Sequence, residues 1–313
     1  MRELGQDLGA DYVVEGSIRR VGERIRVTAQ LVNTTDGVHI WSDRYDRALS
    51  EIFDVQDEVV HAWGLLVKAG QVRVGDGKSR DHQRQLIREA LQIDPEYPRA
   101  HAFLASVVYT SVGRGSTRDA AADLKLGHVH CDAALAVGHT DILVLKLLAG
   151  GLAAIGDAQR AMELAERVYG LQRSPDPLLV AVLMWNGRLE EAQVHCEAIV
   201  EQLPPGLPTS PGELRPVALL GNLHMLQNNL GEAMRCARAD MNANPDNFFS
   251  YVNLANVYGL LGEYEATREH WPKAQELVPR LTRELFVVGY RRVMKSADHA
   301  ERFGAGLAAA GID

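Results

Sequence analysis

The chain is 313 residues long, 46% apolar, 24% charged and only 6% aromatic, with a formal net charge of −8. This composition excludes global disorder and leaves no basic field for non-specific nucleic-acid binding, and the length allows two domains or one repeat array with a small domain. Cys131, Cys196 and Cys236 are too few and too far apart for a disulfide framework or a CxxC knuckle, and suit a reducing compartment. The N-terminal MRELGQDLGADY has no apolar signal-peptide region. The longest apolar stretch, Ile142 to Ile155, carries Lys146 and is too short to cross a bilayer. The expectation is a soluble, cytoplasmic chain, or the cytoplasmic part of a larger one, with neither a nucleic-acid nor a membrane partner.

The chain opens with a short predicted helix, Arg2 to Leu8, capped by Gly9. Tyr12 to Arg20 is β-rich. Arg24 to Leu31 alternates, with Ile25, Val27, Ala29 and Leu31 on one face and Arg24, Arg26, Thr28 and Gln30 on the other, as in a half-buried strand. Gly22-Glu23 makes the turn between them, and Asp36-Gly37 leads into a third short strand, Val38 to Trp41. The result is a three-stranded antiparallel meander. A helix follows from about Ser50, with the apolar stripe Ile52, Val55, Val59 and Trp63 and with Asp54, Asp57 and Glu58 toward water.

From about residue 62 no strand signal recurs, and helix pairs punctuated by proline take over. Phe248 to Leu281 is one unit of 34 residues. Tyr251, Leu254, Ala255 and Tyr258 lie on a first helix, Gly262 and Tyr264 form the turn, Trp271 and Ala274 lie on a second helix, and Pro279 ends the unit. This pattern resembles the tetratricopeptide repeat. Small residues let two helices approach while aromatic knobs fill the gap, and proline cannot continue the helix. Pro245 stands 34 residues earlier and closes a unit with Leu220, Gly221, His224, Ala233 and Ala237 at matching offsets. Gly187 to Ala192 with Pro204 marks another, its extra residues falling in the loop Pro204 to Pro211. Ala161 and Ala165 before Pro175, Ala134 to Val137 before His139, and Glu89 to Pro95 mark three more. Ten extra residues between Pro95 and His139 are placed at Ser111 to Thr117. The last 30 residues read as two amphipathic helices without the repeat signature, which suits a polar terminal cap.

Four segments of the first domain carry a second resemblance: LGADYVVEGSIRR (Leu8–Arg20), RVTAQLV (Arg26–Val32), GVHIWSDRYDR (Gly37–Arg47) and IFDVQDEV (Ile52–Val59). They resemble TolB amino-terminal-like domains over about 50 residues. In bacteria such a domain is often followed by tetratricopeptide repeats, and preceded by a class III adenylate/guanylate cyclase domain or a winged-helix DNA-binding domain. The family's domain opens with an earlier strand, helix and strand, so the resemblance implies that Met1 begins midway through the domain. The cyclase or winged-helix domain lies outside this chain, and no residue here takes a catalytic or DNA-reading role from it.

The remaining motifs favour plain readings. Gly75-Asp76-Gly77-Lys78-Ser79 lacks the glycine that a Walker A loop needs at Val72 and follows a helix, so it reads as a polar inter-helix turn. His128-Val129-His130-Cys131 offers two ligands on one helix face, too few for a metal site. Cys196 and Cys236 occupy equivalent second-helix positions and read as small core residues. Glu190-Glu191 suit a solvated helix start. The polar set that stands out is Asn222, Asn253 and Asn256. Asn222 and Asn256 share one offset in adjacent repeats, on first helices, which line the inner groove of such solenoids. Amides there can hold a peptide backbone or carboxylate. The lysine of a carboxylate clamp would fall at Ala218 and is missing.

The expected fold is mainly α: a partial α/β domain at residues 1–61, a repeat solenoid of five to six units at 62–281, and capping helices at 282–313. The expected function is a non-enzymatic interaction scaffold in signalling, holding a protein or peptide ligand in its concave groove, without cofactor or metal. Two alternatives remain: the C-terminal regulatory part of a class III cyclase, or the effector part of a winged-helix regulator. Self-association through the edge of the N-terminal sheet is a further expectation.

Overall fold

The computed structural model describes residues 12–21, 24–33, 39–48, 52–72, 77–113, 115–204, 206 and 214–313, with backbone alone for residues 52–59, 77, 78 and most of the strands. The expected helix Arg2–Leu8 with its Gly9 cap, and the turns Gly22-Glu23 and Asp36-Gly37, lie outside these residues, as do the side chains of Ile52, Val55 and Val59. The chain divides into two compact units, Met1–Arg73 with Gln85–Pro95, and Val74–Arg84 with Glu96–Asp313.

The first unit holds an antiparallel sheet in the order β1 (Tyr12–Val21), β2 (Arg24–Asn33), β3 (His39–Ala48). Ile18 stands opposite Val27, and Val27 opposite Tyr45, with one irregularity in the β2–β3 ladder between Leu31 and Val32. The third strand is longer than its sequence suggests. Val38 to Trp41 is apolar, but the ladder continues through the polar stretch Ser42–Arg47 until Ala48 meets Arg24. The unpaired groups of β2 supply the reason: a full row of backbone hydrogen bonds outweighs the low strand propensity of Asp43 and Asp46. Among the described residues, β1 and β3 are each paired on one side only. Helix α1 (Ile52–Gln71) follows and buries Ala62, Leu65, Leu66 and Ala69, spaced to form one apolar stripe, while Val60 faces out. Helix α2 (Gly77–Ile93) contributes its C-terminal half, where Leu86, Ile87 and Ala90 are buried.

The second unit is an array of antiparallel helix pairs: α3 (Pro98–Gly113) with α4 (Ala120–Gly138), α5 (Ile142–Ala154) with α6 (Ala158–Gln172), α7 (Pro177–Trp185) with α8 (Leu189–Val200), α9 (Pro216–Leu226) with α10 (Leu230–Ala243), and α11 (Phe248–Leu260) with α12 (Tyr264–Leu277). From α6 on, each second helix packs on its own first helix and on the next one. Alanines sit where the helices meet: Ala134, Ala161, Ala192, Ala233, Ala255 and Ala274 are fully buried. The expected insertion between Pro95 and His139 is not confined to a loop. It lengthens α3 to 16 residues and α4 to 19, against 13 and 14 in α11 and α12.

Four of the pairs turn on the same backbone motif. Gly156, Gly187, Asn228 and Gly262 have φ of 84°, 81°, 62° and 83°. The N–H of the residue after each donates to the carbonyl five residues back: Asp157 to Leu152, Arg188 to Leu183, Asn229 to His224 and Glu263 to Tyr258. This is the six-to-one bond of a Schellman cap, which needs a left-handed residue and suits glycine. At Asn228 an asparagine takes that role.

Buried and half-buried ion pairs tie successive repeats together. Arg99 Nε stands 2.6 Å from Asp141, the N-cap of α5, and Lys146 Nζ stands 2.6 Å from Asp176, the N-cap of α7. Arg215, just before α9, stands 2.5 Å from Asp240 on α10 and donates to Ser250 Oγ on α11. The last two helices, α13 (Arg283–Val293) and α14 (Ala297–Ala309), do not stack as a sixth pair. α14 packs across α11 and also reaches α9 and α12.

Candidate functional site

The first-helix face of α9 and α11 carries all three asparagines singled out in the sequence. Asn222 and Asn256 are buried and Asn253 is half-buried. They do not form one cluster of like environment. The Asn256 amide is committed to α14: its Nδ2 donates to the Arg302 carbonyl at 3.0 Å, and its Oδ1 accepts from the N–H groups of Gly306 at 2.9 Å and Leu307 at 3.3 Å. Met225 Sδ lies 3.2 Å from the same Nδ2. At Gly259 and Gly306 the two backbones meet with no side chain between them. A methyl added at Gly259 would stand 2.0 Å from the Gly306 carbonyl oxygen, which only glycine permits.

Aromatic rings continue this contact toward α13. Phe249 lies 6.0 Å from Phe286, Phe286 5.3 Å from Tyr290, and Tyr290 stacks on Phe303 at 3.6 Å. Burial pushes the Tyr290 hydroxyl above its ordinary range, and the Arg215 cation offsets that in part. Further along, a cleft of about 660 Å³ is lined by Asp157, Gln159, Met162, Glu163, Asn186, Arg188 and Lys295. Arg188 is held there by Glu166 at 3.1 Å and Glu191 at 2.7 Å. Ala218, where a clamp lysine would fall, is buried on α9.

The other candidate residues are dispersed. His128 Nδ1 meets the Tyr109 hydroxyl at 3.0 Å, and His130 Nδ1 meets His101 Nδ1 at 2.7 Å. Cys131 turns inward, with Arg160 Nη2 at 3.5 Å from its sulfur. Among the described residues no group of three or more His, Cys, Asp or Glu side chains is placed to hold a metal ion. Cys131, Cys196 and Cys236 are free and buried, and burial raises all three thiols, Cys196 to about 12. Gly75-Asp76 lies outside the described residues, and Gly77, Lys78 and Ser79 open α2. Glu190 and Glu191 sit in the first turn of α8. No helix among the described residues is long and apolar enough to cross a membrane.

What the sequence did not disclose is the partner of Asn256. Asn256 and Gly259 lie one turn apart on α11, Gly306 faces them from α14, and all three are buried.

No protein-family model matches the sequence. A curated protein of Rhizobium meliloti (strain 1021), named "Putative adenylate cyclase 3", is 34% identical over an alignment of 138 positions that covers 35% of this chain and 24% of that protein. The chain thus matches about a quarter of the curated relative's length. Among solved structures, pilF of Pseudomonas aeruginosa aligns with 75% of the chain and 97% of its own at a TM-score of 0.49 and 15% identity. The Cut9–Hcn1 hetero-tetramer of the APC/C aligns with 78% of the chain and 45% of its own at a TM-score of 0.53 and 14% identity. At that identity the likeness concerns the fold alone. The fold is a mainly α solenoid of the tetratricopeptide type, preceded by a small three-stranded antiparallel sheet.

Proposed function

We propose that this chain is a non-enzymatic protein-interaction module that works in cytoplasmic signalling. Residues 62–281 are its binding array, residues 1–61 a partial TolB amino-terminal-like domain, and residues 282–313 the closing helices. The observation that carries this reading is the array itself: its helix pairs bury their apolar faces against one another without using the first-helix face, on which α14 lies. The ligand is a protein or peptide segment whose main-chain groups meet the amides of Asn222, Asn253 and Asn256. Pairing through the edges of β1 or β3, which carry no further strand among the described residues, provides a route to self-association.

The curated relative named as an adenylate cyclase favours a second reading, in which the chain is the regulatory C-terminal region of a class III nucleotide cyclase. In-frame coding sequence upstream of Met1 with the paired metal-binding aspartates of such a domain would support it. A basic recognition helix there would favour a winged-helix regulator instead.

A photo-crosslinking amino acid at Asn253, on a first helix, tests the binding face against one at Glu276, exposed on a second helix. A protein adduct from position 253 and none from 276 is the expected result. Equal adducts from both, or none from either, would count against the reading.

A further inference from the structure

The α13–α14 hairpin runs back along the turns that join first to second helices, touching four successive repeats. Methyl groups added at Gly115 and Gly156 would stand 3.3 Å from Arg292 Nη2 and 3.0 Å from the Arg292 carbonyl oxygen. The Lys295 N–H donates to the Trp185 carbonyl at 2.8 Å. Arg302 Nη2 donates to Asn228 Oδ1 at 2.5 Å. Beyond these edge contacts, α14 lies on α11 and α9 with Gly306 against the α11 backbone, while Phe303 stacks on Tyr290 and Gly304 faces Val287 and Arg283 of α13 within the hairpin. Asn256 holds its main chain at Arg302, Gly306 and Leu307.

These are the contacts of a bound ligand made by the chain with itself. A helix lays a small residue, Gly306, against a first helix, a buried amide grips its main-chain groups, and arginines fasten its edges. The helices beneath do not need the hairpin in order to pair, since α9, α10, α11 and α12 each pack on the next. The hairpin joins them through the short segment Val278–Thr282. Its outer ion pairs, Arg291 with Glu284 and with Glu301, lie within the hairpin and are exposed, so they hold it to itself and not to the array.

We propose that α13–α14 is an internal ligand of the array, a releasable strap that keeps the first-helix face closed. The external partner that displaces it is an amphipathic helix with a small residue at the place of Gly306. This rests on the first-helix face being the binding face, as proposed above. The arrangement makes binding conditional, because the partner must outcompete a tethered segment at high effective concentration.

The test uses the intact chain and two readouts. In hydrogen-exchange mass spectrometry, α13 and α14 should open together and exchange roughly tenfold or more faster than α9 to α12. Exchange of the hairpin in step with α9 to α12 would overturn the proposal, since the hairpin would then be inseparable from the array. The second readout is fluorescence anisotropy of a fluorescein-labelled synthetic peptide of residues 296–313. Gly306→Leu drives a side chain into the α11 backbone, where an added Cβ would already stand 1.9 Å from the Asn256 carbonyl oxygen. That variant should bind the peptide roughly tenfold or more tightly than the unaltered chain. A hairpin that opens on its own while neither chain binds the peptide would overturn the proposal through the binding-face reading beneath it. If Gly306→Leu does not fold, Asn256→Ala takes its place: faster exchange confined to α13 and α14 supports the strap, and faster exchange shared by α9 to α12 refutes it.

Discussion

Asn256 and Gly306 share one hydrogen bond that closes a turn of another helix: Asn256 Oδ1 accepts from the Gly306 N–H, while Asn256 Nδ2 donates to the Arg302 carbonyl four residues earlier. Those two main-chain groups are each other's partners in a regular α-helix. The side chain of α11 therefore reads the backbone of α14 and not its side chains. Asn256→Ala leaves the two groups able to bond to each other, so it should cost only about 1–2 kcal/mol. Asn256→Asp places a carboxylate against the Arg302 carbonyl oxygen and should cost more than the alanine variant, by about 1–3 kcal/mol. Urea denaturation of both variants gives the order, and equal midpoints would contradict it.

The glycine facing this contact separates two roles of the same residue type. Gly259→Ala must force two backbones apart and should destabilise by about 1–3 kcal/mol or more. Gly170, on α6, has open space where a Cβ would stand, and Gly170→Ala should stabilise by about 0.5–1 kcal/mol. Thermal melting of the two variants should move in opposite directions.

Arg215 and Asp240 form the most buried ion pair among the described residues, and Ser250 and Asn244 add hydrogen bonds to it. Burial outweighs the Arg215 cation and raises the Asp240 carboxyl above its ordinary range. A carboxyl raised on folding keeps its proton longer in the folded chain than in the unfolded one. It therefore lowers stability as pH climbs from the ordinary aspartate range through the raised value, and has no further effect above it. Asp240→Ala should cost about 3–5 kcal/mol at neutral pH, because Arg215 is left buried and unpaired. The double variant Arg215→Met with Asp240→Leu should recover most of that loss. A double variant as unstable as Asp240→Ala would contradict the account.

The repeats were legible because they are local. Leu254, Ala255, Trp271 and Ala274 mark buried positions of α11 and α12 from spacing alone, and all four are buried in the structure. The shared turn was half legible: Gly262 and Gly187 stand out as glycines, but Asn228 does not, although its φ of 62° makes it the same corner. The third strand was undercounted because Ser42–Arg47 is polar, and only its pairing with β2 reveals it. The fold-back of α13 and α14 was not legible. Their stripes show that they bury a face, but that face meets α11 through contacts such as Asn256 to Gly306, 50 residues apart in sequence. The asparagines were found by their shared offset in adjacent repeats, while their different surroundings depend on where α14 lies.

The three cysteines should be inert in the folded chain. Cys196 is fully buried, its thiol donates to the Pro216 carbonyl at 3.3 Å, and burial lifts it to about 12, so almost no thiolate exists at pH 8. Titration with a disulfide reagent should label none of the three until denaturant is added, and protein purified without added metal should carry no zinc. Rapid native labelling of Cys196, or stoichiometric zinc, would contradict this.

Incubation of the chain with ATP or GTP should yield neither cyclic nucleotide nor hydrolysis. The segment Gly75 to Ser79 lacks the glycine at Val72 that a phosphate cradle requires, and its last three residues open α2. Turnover that disappears in Lys78→Ala would overturn that assignment.

Which face of the array meets a partner decides between the binding-face and strap assignments and their opposites. Hydrogen-exchange mass spectrometry of the intact chain, alone and with the protein captured through position 253, addresses it directly. The expected footprint is slower exchange on the first helices α9 and α11 together with faster exchange in α13 and α14, as a partner takes the strap's place. Protection gained on the second helices α10 and α12, with α13 and α14 unchanged, would contradict both the binding face and the strap.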